Sequence, residues 1–287
     1  MSDAAPALSS SLPGTTPPPA ASRRPRATLS DRVGQATAEG LGLLLLTMVW
    51  TATTALFLVW PSIPALPAVA ASAALFTAVH LRTPRQRARL RLRRIPLPAW
   101  AVVLAALATA AWAAASWRVW QHLLPSAASG SPPYADALRQ PGVWLAAGIA
   151  TLLLGPLVEE VGYRGWIQGR FTRLLGVWPA LVITALVFAA THGRPRALPV
   201  LLATALVFGA ARRLSGSLWL PIVLHVAANA SNLPGLAGWE LTVPGAAVLA
   251  PSAAAILVWL GVRYSPRARR RRATARRATT TAIPATR

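Results

Sequence analysis

An all-α polytopic membrane bundle of about eight transmembrane helices is the fold class the sequence predicts, and three observations carry it. Hydrophobic residues make up 54% of the 287 positions and charged residues 13%, roughly half the charged share of a soluble globular domain. Eight apolar stretches reach or approach the length of about 20 residues that a membrane-spanning helix needs. Arginines crowd alternate connections between those stretches, as the preference of basic loops for the cytoplasmic side requires. An ordinary soluble enzyme is thereby excluded. The absence of cysteine also excludes thiol redox chemistry and a disulfide-stapled scaffold.

Residues 1–33 are rich in Pro, Ala and Ser and carry Arg23, Arg24 and Arg26, so a disordered cytoplasmic tail is expected there. The spans follow at Glu39–Trp60, Ser62–Leu81, Pro98–Trp117, Val143–Tyr163, Val177–His192, Leu198–Ala211, Leu218–Leu233 and Val243–Val262. The sixth is the shortest. Together they place a transmembrane domain over 34–263, and an Arg-rich disordered tail is expected over 264–287. Arg82, Arg85, Arg87, Arg89, Arg91, Arg93 and Arg94 fill the second connection. Arg164, Arg170 and Arg173 fill the fourth, and Arg212 and Arg213 the sixth. Both termini are therefore expected in the cytoplasm of a multi-pass cell-membrane protein.

The formal net charge of +22 is what a nucleic-acid-binding chain would also show. Every one of the 29 basic residues is arginine, and their alternation between connections accounts for the charge by topology and by attraction to anionic lipid. No nucleic-acid partner is expected.

Of the 7 acidic residues, only Glu159 and Glu160 lie well inside an apolar span. An ionisable side chain at the bilayer centre costs about 2.5–3.5 kcal/mol on insertion scales, so an adjacent pair needs a reason. Arg164 follows Glu160 by four residues and shares its helix face, where it can neutralise that carboxylate. Glu159, rotated by about 100° around the helix, should face a different neighbour. His80 and His122 sit at a helix end and in an outer loop. His192 and His225 instead close or interrupt apolar runs, and the pairs Phe188/His192 and His225/Asn229 each share one face by their spacing of four.

A helix-to-helix turn expected near Leu175 and Gly176, ahead of Pro179, brings Glu159 and His192 to similar depth on antiparallel helices. Another turn around Ser215 to Ser217 lets His225 and Asn229 descend to the same level. Ala227, Ala228 and Ala230 leave room for that helix to approach its neighbours closely. One polar pocket lined by Glu159, His192, His225 and Asn229 is the expected result.

The runs Glu159-Glu160-Val161-Gly162-Tyr163-Arg164-Gly165, Phe188-Ala189-Ala190-Thr191-His192 and His225-Val226-Ala227-Ala228-Asn229 resemble the three signature motifs of the CPBP intramembrane proteases. That family, also called Abi, includes the CAAX prenyl endopeptidases. The motif-bearing part extends over 143–233. The resemblance implies that Glu159 is the general base that activates a water, with His192 helping to hold it. It further implies that His225 and Asn229 stabilise the oxyanion, that Glu160 and Arg164 form a structural ion pair, and that Phe188 supports its motif. An endopeptidase acting on a membrane-associated protein or peptide, with no cofactor and no metal ligand, is the function so implied.

Other readings stay open at the level of sequence. One glutamate and two histidines can form a three-ligand zinc site, although the helical His-Glu-x-x-His pattern is absent. Intramembrane Glu, Arg and His can also form the relay of a proton-coupled transporter. A non-catalytic immunity or scaffold protein can bind a partner through the same pocket. As for topology, reporter fusions placed after Arg94 and after Arg263 should both report the cytoplasm; a periplasmic signal from the second would reverse the orientation.

Overall fold

A computed structural model of the chain describes residues 90–124, 148–231 and 240–281, together with six single positions between 28 and 41. The described residues form helices and no strand, the outcome expected where lipid offers the backbone no hydrogen-bond partner. Helix α1 is Ala99–Leu123. Helix α2 is continuous through four segments, π-helical at Ala150–Leu154, α-helical at Gly155–Glu160, π-helical again at Val161–Ile167 and α-helical at Gln168–Leu175. Helix α3 is Val177–Thr191, α4 is Leu198–Ser215, α5 is Trp219–Ala230, α6 is Val243–Arg263 and α7 is Pro266–Thr281.

Both turns expected from the sequence are present, and each is made by a glycine whose missing Cβ permits positive φ. Gly176 separates α2 from α3 at φ 88°, and Gly216 ends α4 at φ 64°. Small side chains let the helices lie close together. Ala101 and Ala105 of α1, Phe208 and Ala211 of α4, Leu220, Leu224 and Ala228 of α5 and Leu260 of α6 form one buried cluster. Tyr163, Ile167, Ala185, Phe188 and Ala205 form a second between α2, α3 and α4. The outward faces remain apolar and open at Val103 and Leu107, at Val182 and Leu186, and at Val248 and Val258. Such faces suit lipid and not water.

Among the described residues, three helical stretches are long and apolar enough to cross a membrane: Ala99–Leu123, Pro195–Ser215 and Val243–Arg263. Eight spans are not confirmed. Apart from Leu41, the first two expected spans lie outside the described residues, and the fifth and seventh correspond to shorter apolar helices, Val177–Thr191 and Trp219–Ala230. The sixth, expected to be the shortest, is instead one of the three long stretches. A 3₁₀ turn at Pro195–Ala197 extends it at one end, and Arg212 continues it at the other because the guanidinium has a partner, donating from Nη2 to Leu90 O at 3.0 Å.

The segment after the Arg-rich second connection is fastened to the α4–α5 turn. Arg93 Nε donates to Gly216 O at 2.8 Å, Ser217 Oγ donates to Arg93 O at 2.6 Å, and Leu218 N donates to Arg91 O at 3.3 Å. Leu90, with no exposed surface, fills the space beside Gly165 and packs with Val158, Val161, Leu218 and Ile222. Val158 and Val161 flank the two glutamates, so this plug supports the helix that carries them. At the other end of the bundle Arg118 of α1 donates to Leu241 O at 2.9 Å and pairs with Glu240 at 3.4 Å.

Two segments expected to be disordered contain helix. Ser30 and Asp31 are helical, and Thr28 caps them: its Oγ1 accepts from Asp31 N at 3.2 Å while Asp31 Oδ2 accepts from Thr28 N at 3.0 Å. Beyond 264, α7 forms because Ser265 Oγ accepts from Ala268 N, Pro266 suits a first helical position, and Ala and Arg favour helix. Arg269 anchors α7 by donating to Leu214 O. Burial, with Arg93 beside it, pulls the Arg269 guanidinium below the usual arginine value. Removing the buried plug should show how far α2 depends on it: Leu90→Ala should cost about 2–5 kcal/mol, seen as a lower midpoint of unfolding in detergent micelles, and an unshifted midpoint would refute its supporting role.

Candidate active site

The second π-helical segment of α2 begins directly after Glu160 and contains Gly162 and Gly165. Wide turns of this kind re-aim side chains and are frequent at functional sites. Here the α2 helix presents two carboxylates and a guanidinium to the interior. Arg164 Nη1 donates to Glu160 Oε1 at 2.9 Å, with both side chains fully buried. The pairing expected from their spacing is therefore present. Arg164 Nη2 donates to Ala205 O of α4 at 3.0 Å, and the guanidinium carbon lies 4.5 Å from the Phe188 ring centroid and 5.3 Å from that of Phe208. A buried cation is thus met by a carboxylate, a carbonyl and two aromatic faces.

His225 completes the cluster from α5. Its Nδ1 donates to the same Glu160 Oε1 at 2.9 Å, and its Nε2 lies 3.8 Å from Glu159 Oε2. The distance to Glu159 exceeds a hydrogen bond, and Glu159 Oε2 has no hydrogen-bond partner among the described residues. Glu159 keeps 20% of its side-chain surface open while Glu160 keeps none, so of the two only Glu159 can meet a water arriving from outside. The ring plane of His225 is set by Phe208, stacked at 4.7 Å and 24°, and by Phe188, edge-on at 5.8 Å.

His192 stands at the end of α3. Its Nδ1 lies 2.8 Å from Phe188 O, which can only accept, so Nδ1 carries the proton and Nε2 offers its lone pair. The Phe188 ring lies 4.6 Å from His192, so one aromatic side chain separates the two histidines. Phe188 O also accepts from Thr191 Oγ1 at 2.9 Å, and Tyr163 OH then donates to Thr191 Oγ1 at 2.7 Å. Asn229 is turned toward α2, donating from Nδ2 to Thr151 O at 2.9 Å.

The structure thus gathers Glu159, Glu160, Arg164, Phe188 and His225 into one contact set, with His192 joined through Phe188 and Asn229 tied to the start of α2. The sequence did not single out Phe208, Tyr163, Thr191 or Ala205. Thr191 and Tyr163 lie inside the motifs, whereas Phe208 and Ala205 sit in an apolar run where nothing marks them. No group of three His, Asp or Glu side chains among the described residues is placed to hold a metal ion.

The arrangement places a partly open carboxylate beside two imidazoles within one helical bundle. Residues 141–231 match the family model described as type II CAAX prenyl endopeptidase Rce1-like. The matched segment contains all three motifs and accords with their resemblance to the CPBP proteases. It supports a membrane enzyme of the CAAX-protease type. No curated protein and no solved structure matches the chain.

Truncating one member of a buried ion pair strands the other charge. Arg164→Ala should cost about 3–5 kcal/mol for that reason. Thermal unfolding in detergent is the check, and a midpoint equal to that of the unaltered protein would remove the structural role assigned to the pair.

Proposed function

We propose that this protein is an intramembrane endopeptidase that hydrolyses a peptide bond of a membrane-associated protein or peptide, using a water activated by Glu159. The observation that carries the reading is the buried Glu160–Arg164–His225 cluster with the partly open Glu159 beside it, found within the segment that matches the CAAX prenyl endopeptidase family. Peptide hydrolysis needs a base within reach of water and donors where negative charge develops. Glu159 supplies the base. The pair Glu160–Arg164 fixes the helix turn that carries it, and His192, holding its proton on Nδ1, directs the Nε2 lone pair to the water.

The attacking oxygen adds to the carbonyl carbon and the charge moves to the carbonyl oxygen. His225 and Asn229 are assigned to stabilise that oxyanion, His225 through Nε2 because Nδ1 is engaged by Glu160. Water must be rationed for such a reaction inside a bundle, and the apolar clusters around the site serve that end. Substrate reaches the site from the lipid or its surface, where the Arg-rich connections attract anionic headgroups. A prenylated peptide with a CAAX ending is the probe that the family match recommends.

In proteoliposomes, release of the terminal tripeptide from a farnesylated CAAX peptide should be catalysed by the wild-type protein. Glu159→Gln keeps the shape and polarity but not the basicity, so release should fall by about 10²- to 10⁴-fold at matched protein levels. His192→Ala should behave similarly, and Asn229→Ala should lower turnover by about 10²- to 10³-fold. Equal release from wild type and Glu159→Gln would reject the assignment. The reaction is proposed to need no metal: activity should survive strong chelators, and a loss that zinc alone restores would transfer the case to a metal-activated water.

A further inference from the structure

Glu160 does more in this geometry than neutralise Arg164. Its Oε1 receives two donors at once, Arg164 Nη1 at 2.9 Å and His225 Nδ1 at 2.9 Å, within a side chain that has no exposed surface. A carboxylate bonded to Arg can only accept, so the imidazole proton is committed to Nδ1. With that proton on Nδ1, the ring in its neutral form has its lone pair on Nε2. Phe208 stacked on one face and Phe188 at the edge prevent the ring from turning over to exchange the two nitrogens. The groups facing the ring are thus Glu159, Glu160 and Arg164 from α2, Phe188 from α3 and Phe208 from α4. Among them only Glu159, at 3.8 Å, is placed to exchange a proton with Nε2.

We propose that Glu160 is a positioning residue that locks His225 in its Nδ1–H form and aims Nε2 at Glu159, so that His225 receives the proton Glu159 takes from water and returns it to the leaving nitrogen. The second half rests on the endopeptidase reading; the first does not. In the reaction the water loses one proton to the Glu159 carboxylate while its oxygen bonds to the carbonyl carbon. Glu159 passes that proton to Nε2, and the resulting imidazolium is held between the Glu160 carboxylate and the reacting centre. His225 becomes an N–H donor toward the oxyanion only at this point, when the negative charge exists. On collapse the carbonyl re-forms, the carbon–nitrogen bond breaks, and Nε2–H protonates the departing amine. Glu159 is again a carboxylate, His225 is neutral, and the new acid ionises in water.

The same arrangement explains why Glu160 is shielded and Glu159 is not. A positioning carboxylate must hold a fixed place and avoid competing water, whereas a base must meet water. Arg164 contributes by holding Glu160 in place through Nη1 while its Nη2 is anchored on Ala205 O.

The test is ¹⁵N NMR of histidine-labelled full-length protein in micelles, with the His225 signals assigned by their loss in His225→Gln. Wild-type His225 should show a protonated Nδ1 and an unprotonated Nε2. Glu160→Leu should lose that preference, and because it strands Arg164, the double variant Glu160→Leu/Arg164→Met provides the same comparison in an uncharged, packed core. On the prenylated peptide, the double variant should lower kcat by about 10²- to 10⁴-fold with KM little changed, and Glu160→Gln, which retains an acceptor oxygen, should recover part of the loss. A wild-type ring with its proton on Nε2, or a double variant that keeps the Nδ1–H form, would overturn the positioning role. Absence of cleavage by wild-type protein with the expected ring form would instead overturn the proton return together with the endopeptidase reading.

Discussion

The bundle is organised around a carboxylate and a guanidinium that never meet solvent. Glu160 and Arg164 lie one helical turn apart on α2 and bond at 2.9 Å with both side chains fully buried. Each then reaches another helix, Arg164 to the Ala205 carbonyl of α4 and Glu160 to His225 of α5. Desolvating such a pair costs about as much as their attraction returns, and an apolar replacement of equal volume is often no less stable. Its presence is therefore poorly explained by stability alone. What the pair supplies is placement: three helices are held in one register, and the neighbouring Glu159 is left partly open beside an oriented imidazole.

The surroundings follow from that constraint. A cation inside a bundle needs its charge spread, and Phe188 and Phe208 provide faces for it while also framing His225. Phe188 is used at every level. Its ring separates the two histidines, and its carbonyl holds His192 Nδ1 and collects the chain from Tyr163 through Thr191. The π-helical turn after Glu160 accommodates this crowding on a single helix, and the Leu90 plug packs against its outer side. Arginines of the basic connections are also put to structural use, Arg93 and Arg212 each satisfying a carbonyl where the chain turns.

Much of the site was legible because charge in an apolar run stands out. Glu159, Glu160 and Arg164 announce themselves, and a spacing of four is enough to foresee the ion pair. The turns at Gly176 and around Gly216 were legible from breakers flanked by apolar runs. The bond between Glu160 and His225 was not, because it spans 65 residues and depends on how α5 crosses α2, which local spacing does not encode. The bond from Asn229 Nδ2 to Thr151 O was not legible either, for the same reason. Phe208 carries no polar mark and is indistinguishable in sequence from the lipid-facing residues around it. The length of α4 was underestimated because its span was ended at the first arginine, when Arg212 had a carbonyl waiting.

The central claim, that this polar cluster hydrolyses peptide bonds inside a membrane, is tested most directly by comparing peptide termini in membranes of cells that carry the wild-type gene, lack it, or carry Glu159→Gln at equal abundance. The account predicts a set of new termini found with the wild type and missing from both other samples. Identical termini in all three would contradict it.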